Sequence, residues 1–513
     1  VVPYIFSILL ALLWTVLLFI TGCLLPASGF YAVGLDVRRP VQRRLIAAVC
    51  IATALLLVAP TPLLSDFIHE REPQNDQYEA FAESLLGGSL AFAYEVDPGL
   101  AALENPYDSS ARDASAARWD HAFYQGRYYM YFGIVPELLH FLPFRVLTGR
   151  TLPTCASIAL SILGLCAGVF LLLSALAGRF ARPRLLTYLI CCVSFSVGCG
   201  LLLNRVPTVY IVPIAAANML AVLGLYFWVS SIGRDGLVPW RVCLGSVCIA
   251  LVFGCRPQAG LVFLAAIPLY WKAALHERSL LSRQGMGNTL CLMLPFLLVA
   301  LGLMWYNNAR FGSPMDFGAN YNLTTNDMTR RGFSPDRIPA GLFAWFVQPA
   351  SLSFRFPYLL LQRVSTAYQG VTIAEPSFGS VFCLSPVLLS LPLAPFCAKT
   401  LKDKNLWPFF LLLLLLPLVI AVADIEMAGV LYRYLGDFLF LLFTAAALVL
   451  FALDDTVSGG AALALRRALC AAFLMAMLFA LCFLFAEDES GNSYGAVLPR
   501  IFEIAKYLTA LWA

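Results

Sequence analysis

Long runs that are apolar on every face constrain this chain more than any other feature. Phe409 to Ala423 holds no charged residue, and Tyr432 to Leu453 holds only Arg433 and Asp437. A helix without a polar stripe has to be surrounded by apolar matter, and about 20 such residues cross a bilayer. Soluble domains carry about 25% charged residues. This chain carries 12%, against 60% hydrophobic, with a mean hydropathy of +0.80. The expected fold class is therefore all-α, a polytopic transmembrane bundle of about 11–13 spans.

Hydropathy puts the spans near 3–25, 44–64, 152–178, 185–203, 209–232, 240–254, 258–272, 288–306, 377–398, 405–423, 432–453 and 467–486. Arg256-Pro257 interrupts the two short ones in the middle, which read as two short spans or one broken hairpin. No internal repeat or large soluble domain appears, so residues 1–513 are treated as one transmembrane domain. The net charge of +4 is dispersed, with no basic stripe interleaved with aromatics, which excludes a nucleic-acid partner. The 15 cysteines lie in or beside apolar segments, where Cys acts as a small hydrophobe.

Orientation follows from short loops rich in Lys and Arg. Such loops are 36–44, 179–184, 272–283, 399–404 and Arg466-Arg467. Putting all of them in the cytoplasm places 65–127, 307–376 and 424–431 outside. It also requires that the apolar piece 129–147, with Glu137, His140 and Arg145, does not complete a crossing. The first external region, 65–150, is then expected to carry interfacial helices. Its stretch 65–127 holds twelve acidic and four basic residues, opposite to a cytoplasmic loop.

Chemistry has to reside in these two external regions and the membrane cavity beneath them. The first opens through Asn75-Asp76-Gln77-Tyr78 into a helix ending at Gly87-Gly88. Asp76, Glu79 and Glu83 share one face, and Tyr78, Phe81, Ala82 and Leu85 the other, as in a helix lying on a membrane surface. Asp76 either caps this helix or, favoured as an anion by the helix dipole, does chemistry. Next, Trp119, Asp120, His121 and Tyr124 begin an aromatic-polar stretch reaching Pro136 through Arg127. It reads as an aromatic belt at headgroup level or as a sugar site.

A third cluster runs from Trp305 through Arg310 to Tyr321. The loop 307–376 contains arginines and no lysine, and the planar guanidinium suits phosphate oxygens. Lastly, Arg256, Arg433 and Asp437 are charges beside or inside apolar helix, where they face a cavity or a partner. Arg433 and Asp437 stand one helical turn apart and could pair with each other; Asp424 and Glu426 are alternative partners. No paired-His spacing supports a zinc site around His69 and His121.

Together these clusters resemble the GT-C-type membrane glycosyltransferases, which include protein O-mannosyltransferases and aminoarabinose transferases. The likeness lies in the layout of most of the chain, with an early span, a long first external loop and a second large external loop. Asp76 is similar to the acidic residue that opens the first loop in that class, where the carboxylate is taken as the catalytic base. The stretches 119–136 and 306–321, with Arg433-Tyr434 and Asp437, are similar to bacterial members.

The resemblance implies a multi-pass plasma membrane protein with its active site on the extracytoplasmic face. Its donor would be a sugar linked to polyprenyl phosphate, and its acceptor an unidentified hydroxyl. Arg433, Arg256, Arg310 and Arg127 would contact phosphate, and Trp119, Asp120, His121, Tyr124 and Asp437 the sugar or acceptor. The short loop 204–208 lacks the acidic pair of metal-dependent relatives, so no cofactor is expected and a divalent metal is not favoured. Two rival readings are a polyprenyl-linked substrate transporter or flippase, which calls for repeated halves with broken helices, and a surface polysaccharide ligase or polymerase.

Overall fold

The computed structural model describes residues 29–61, 77–113, 115–233, 236–330, 332–368 and 371–487, with residues 499, 502, 503 and 506 beyond them. The expected span 3–25, together with His69 and Asp76, lies outside the described residues. In chain order the main helices are α1 (Pro40–Val58), α2 (Gln77–Leu86), α3 (Leu142–Thr148), α4 (Thr154–Ala177), α5 (Leu185–Asn204), α6 (Ile211–Ser231) and α7 (Pro239–Phe253). There follow α8 (Ala266–Leu275), α9 (Met286–Phe311), α10 (Arg337–Phe346), α11 (Ala394–Asp403), α12 (Trp407–Ala428), α13 (Leu439–Thr456) and α14 (Gly459–Phe485).

Among the described residues eight helices are long and apolar enough to cross a membrane: α1, α4, α5, α6, α9, α12, α13 and α14. They form one bundle with α13 at its centre. Within α13 89% of the apolar window is buried by protein, against 11% in α9, which therefore shows most of its surface to the surroundings. Glycines set the closest helix contacts. A Cβ on Gly224 of α6 would lie 3.1 Å from the Gly245 carbonyl of α7 and 2.4 Å from Ile249. Small residues at such crossings let backbones touch, the usual device where hydrocarbon surrounds the helices.

Several expected spans take another form. The 240–272 region is a broken pair: α7, a connection at 254–258, then a 3-10 run Ala259–Ala265 continuing into α8. Instead of one helix, 377–398 is a short turn Val381–Leu384, a 3-10 run Pro386–Leu393 and α11. Pro386 and Pro392 account for this, because proline offers no N–H to an α-helical ladder. The 432–453 span starts as a 3-10 turn, Tyr432–Asp437, and becomes α-helical only from Leu439.

The chain is mostly helical, but the all-α expectation misses three small antiparallel pairs in the loops. One is β1 (Ala122–Tyr124) with β2 (Arg127–Tyr129). Another is β3 (Gln362–Tyr368) with β4 (Val371–Ser377). A third joins Ser351–Leu352 to Leu359–Leu360.

The loops sort into two ends. At the basic end, the backbone N–H groups of Ala181 and Arg182 donate to Asp455, Leu35 donates to Pro183, and Lys404 donates to the Arg179 carbonyl. The other end, rich in aromatics, gathers the described residues of 77–113, 115–150, 205–210, 254–258, 307–330, 332–368, 371–376 and 424–437. Residues 129–147 stay there. A π-turn Glu137–Phe141 and the seven-residue α3 together are too short to cross, and Arg145 binds back to Glu83 at 2.8 Å. α2 does not rest on a lipid surface alone. Its Tyr78, Phe81 and Ala82 are fully covered by protein, with Tyr78 stacked on Phe141 at 5.1 Å.

Candidate functional site

The two long loops at the aromatic-rich end are hydrogen-bonded to each other. Asp120 N–H donates to Leu323, and Leu323 N–H to His121. Farther out, Ser109 donates to the Thr325 carbonyl at 2.7 Å and Asn105 to Asp327 at 2.9 Å. The Tyr124–Arg127 turn makes this possible, since Gln125 and Gly126 both take positive φ. Paired left-handed residues twist a two-residue hairpin in the sense its strands need.

Asp120 is the knot of the site. Its Oδ1 accepts from Asn322 at 3.0 Å, and its Oδ2 from the Tyr210 hydroxyl at 2.5 Å. Its carbonyl accepts from the amide of Gln77 at 3.0 Å. Three distant parts of the chain, α2, the second loop and the α5–α6 connection, therefore meet on one residue.

Above Tyr210 lies Arg433, its guanidinium carbon 4.7 Å from that ring and 5.3 Å from the ring of Tyr434. Arg433 makes no hydrogen bond or ion pair with any described residue and is half-buried. Its charge is felt at Glu375 on β4. That carboxyl accepts from Val430 N–H at 2.5 Å, while burial raises its pKa above the usual carboxylate range. Arginine faces stack on aromatic rings and leave the N–H fork free for an anion.

Arg256 sits differently. Its Nε lies 3.1 and 3.0 Å from the two carboxylate oxygens of Asp437, and one terminal nitrogen also binds Asp437. Asp424 stands 3.7 Å away. Of the pairings left open by the sequence, Arg433–Asp437 is not formed, because the 3-10 turn rotates Asp437 toward the 254–258 break. Glu426 instead accepts from Ser334 N–H. The Asp437 and Asp424 side chains are wholly covered, as befits charges that have to neutralise one another away from water.

The remaining expected residues divide clearly. Arg310 is buried, donates to the Met130 carbonyl at 2.8 Å and to Asn307, and lies 3.7 Å above the Tyr306 ring, so it clamps α9 to the first loop. Arg127 is exposed at the hairpin tip, and Trp119 is 47% exposed at the rim. Tyr124 packs on Phe311 and Tyr321. His121 is buried among Phe92, Tyr94 and Tyr128. Its Nδ1 lies 2.9 Å from the Trp119 carbonyl, and its Nε2 has no partner. Burial lowers the imidazole to about 4, assisted by the nearby charge of Arg118.

Beneath this cluster the first loop touches the helix break. Val135 N–H donates to the Gly254 carbonyl, and a Cβ on Gly133 would come within 2.3 Å of that oxygen. Glu137, next to it, has no exposed surface and no partner for either oxygen. Burial pushes its carboxyl up to about 8, so it is neutral at pH 7.

Beside the break a cavity of 780 Å³ is lined almost entirely by apolar groups, among them Phe253, Pro257, Phe263, Phe296 and Leu303. It extends from Leu275 and Leu280 to Pro314 and Phe317. Among the described residues no group of three or more His, Cys, Asp or Glu gathers as a metal site would require.

Sequence reading missed Tyr210, Asn322 and Gln77. Gln77 stands in the Asn75–Tyr78 opening without an assigned role, Tyr210 and Asn322 belong to no motif, and only the folded loops bring the three to Asp120. No protein-family model, curated protein or solved structure matches the chain.

Proposed function

We propose that this protein is a membrane glycosyltransferase of the GT-C type, moving a sugar from a polyprenyl-phosphate donor to an acceptor hydroxyl on the extracytoplasmic face of the plasma membrane. The observation that carries the reading is Arg433. It is a half-buried guanidinium, stacked on Tyr210 and Tyr434 and held by no carboxylate, beside the Asp120 knot. A protein keeps a cation so placed when an anion is to occupy it. The apolar cavity beside the break supports a donor with a long hydrocarbon tail.

In this reading the acceptor oxygen attacks the anomeric carbon, and the bond from that carbon to the phosphate oxygen breaks. Asp76 takes the hydroxyl proton, a role that contributes about 10²–10⁴-fold. The lipid phosphate leaves with the electron pair and is met by Arg433, in the manner of preorganised charge aimed at a developing anion. Arg256, taken up by Asp437, holds the turn that presents Arg433. Arg310 positions the first loop. Trp119, Tyr124 and Asp120 border the sugar and acceptor, and no metal is assigned.

The test is transfer of labelled sugar from a polyprenyl-phosphate donor in proteoliposomes. Asp76→Asn should abolish transfer while the protein still folds and retains donor. Full turnover by that variant would overturn the assignment of the base. Movement of intact lipid-linked sugar across the bilayer without covalent transfer would favour the flippase instead.

A further inference from the structure

A second large cavity, of 1260 Å³, opens at the basic end beside α8, whose Ile267 and Trp271 also border the apolar one. Much of its lining is apolar, including Val229, Leu264, Ile267, Leu269 and Leu412. Among the described residues Arg179, Lys272, Lys402 and Lys404 line it, with Glu277 as the one carboxylate. Two of the four cations are occupied. Arg179 donates to the Val229 and Ile232 carbonyls at 2.7 and 3.0 Å, and Lys404 donates to the Arg179 carbonyl and lies 3.6 Å from Asp455.

The other two are not. The ammonium of Lys272 has no partner among the described residues, and that of Lys402 has only the Trp407 ring, 5.5 Å away. Trp271, 56% exposed, stands next to Lys272. An indole beside a lysine over an apolar wall is the pattern of the membrane headgroup layer.

We infer that this cavity binds an anionic phospholipid of the adjoining leaflet, its phosphate on Lys272 and Lys402 and its chains along α8 and α12. A free phosphate would leave the apolar wall unused. A neutral lipid would bring no net charge to two ammonium groups in a cleft with one carboxylate among the described residues. The site lies at the other end of the bundle from Arg433 and does not depend on the proposed transferase reading.

The test is native mass spectrometry of the full chain, purified in detergent and equilibrated with equal amounts of dioleoylphosphatidylglycerol and dioleoylphosphatidylcholine. The wild type should retain the glycerol lipid preferentially. Lys272→Gln with Lys402→Gln should weaken that retention about tenfold, as expected for two lysines facing an anionic headgroup. The charge-matched control Arg38→Gln with Arg467→Gln, at exposed basic-end positions outside the cavity, should change it little.

Equal loss in the control would mean diffuse attraction and would overturn the site, as would absence of any preference in the wild type. Competition by millimolar glycerol 1-phosphate would show that a tailless anion suffices and would also overturn it. Both lysines are exposed, so their removal should leave folding intact. Lys272→Arg with Lys402→Arg, which keeps the charge, should restore binding. Since sugar transfer is not read, failure here leaves the transferase proposal untouched.

Discussion

Arg256 and Asp437, 181 residues apart in the chain, close a two-pronged ion pair on a carboxylate that no solvent reaches, with Asp424 3.7 Å from the same guanidinium. Removing one member of a buried pair strands the other and costs about 3–5 kcal/mol, whereas replacing both is often close to neutral. The two single variants should differ. Asp437→Asn leaves Arg256 with Asp424, while Arg256→Met leaves two covered carboxylates without a cation. Thermal unfolding in detergent should therefore rank Arg256→Met below Asp437→Asn. Arg256→Met with Asp437→Leu should recover most of the loss. Equal losses for the two single variants would remove Asp424 from the account.

Arg433 has no such partner, so Arg433→Gln should change stability by about 1 kcal/mol or less, the worth of its ring contacts. Sugar transfer should fall about 10²–10³-fold if the guanidinium meets the departing phosphate. Arg433→Lys should recover little, because a point charge replaces a planar fork. Initial rates beside melting temperatures decide this; a variant that loses activity only in proportion to its fold would count against the role.

His121 predicts a pH dependence of stability. Unfolded, its imidazole takes a proton near pH 6.5; folded, only near 4. Between those values the unfolded chain holds the extra proton, so stability falls as pH drops through this window. The loss reaches about 3 kcal/mol at most. His121→Gln should remove this component, seen as a variant stability curve flatter than the wild type's from pH 6.5 to 4, so that the gap between the two changes across the window. Parallel curves would place the imidazole in water rather than among its three aromatic neighbours.

Gly133 tests the contact between the first loop and the helix break. An added Cβ meets the Gly254 and Cys255 carbonyl oxygens at 2.3 and 2.6 Å, and backbone atoms cannot swing aside as a flexible side chain would. Gly133→Ala should cost about 2 kcal/mol or more by overpacking. Gly302→Ala, on α9 with nothing within 4 Å, should be neutral or stabilising. Similar effects at the two sites would argue against the close approach.

What could be read from the sequence follows from where the information is stored. The spans were legible because continuous apolarity is a local property, and Arg256-Pro257 correctly marked the broken pair at 254–258. The break at 377–398 was also written locally, in Pro386 and Pro392, but hydropathy averages over prolines. The β1–β2 hairpin had a signal in Gln125-Gly126 between aromatic runs, although Gln is a less usual first turn residue than Asn or Asp. The Arg433–Asp437 pairing failed because it assumed α-helical spacing through a 3-10 turn. The Asp120–Tyr210 bond and the freedom of Arg433 exist only in three dimensions, between residues 90 or more positions apart.

The solidity of α13 has one more implication. A helix walled in by its neighbours over nearly nine-tenths of its apolar length makes the middle of the described bundle solid protein. Both large hollows lie to the side of it, against α8, with the bare flank of α9 bordering one and Trp407 of α12 the other. The two ligands proposed above, a lipid-linked sugar and a phospholipid, are therefore expected at the flanks of the bundle and not along its axis.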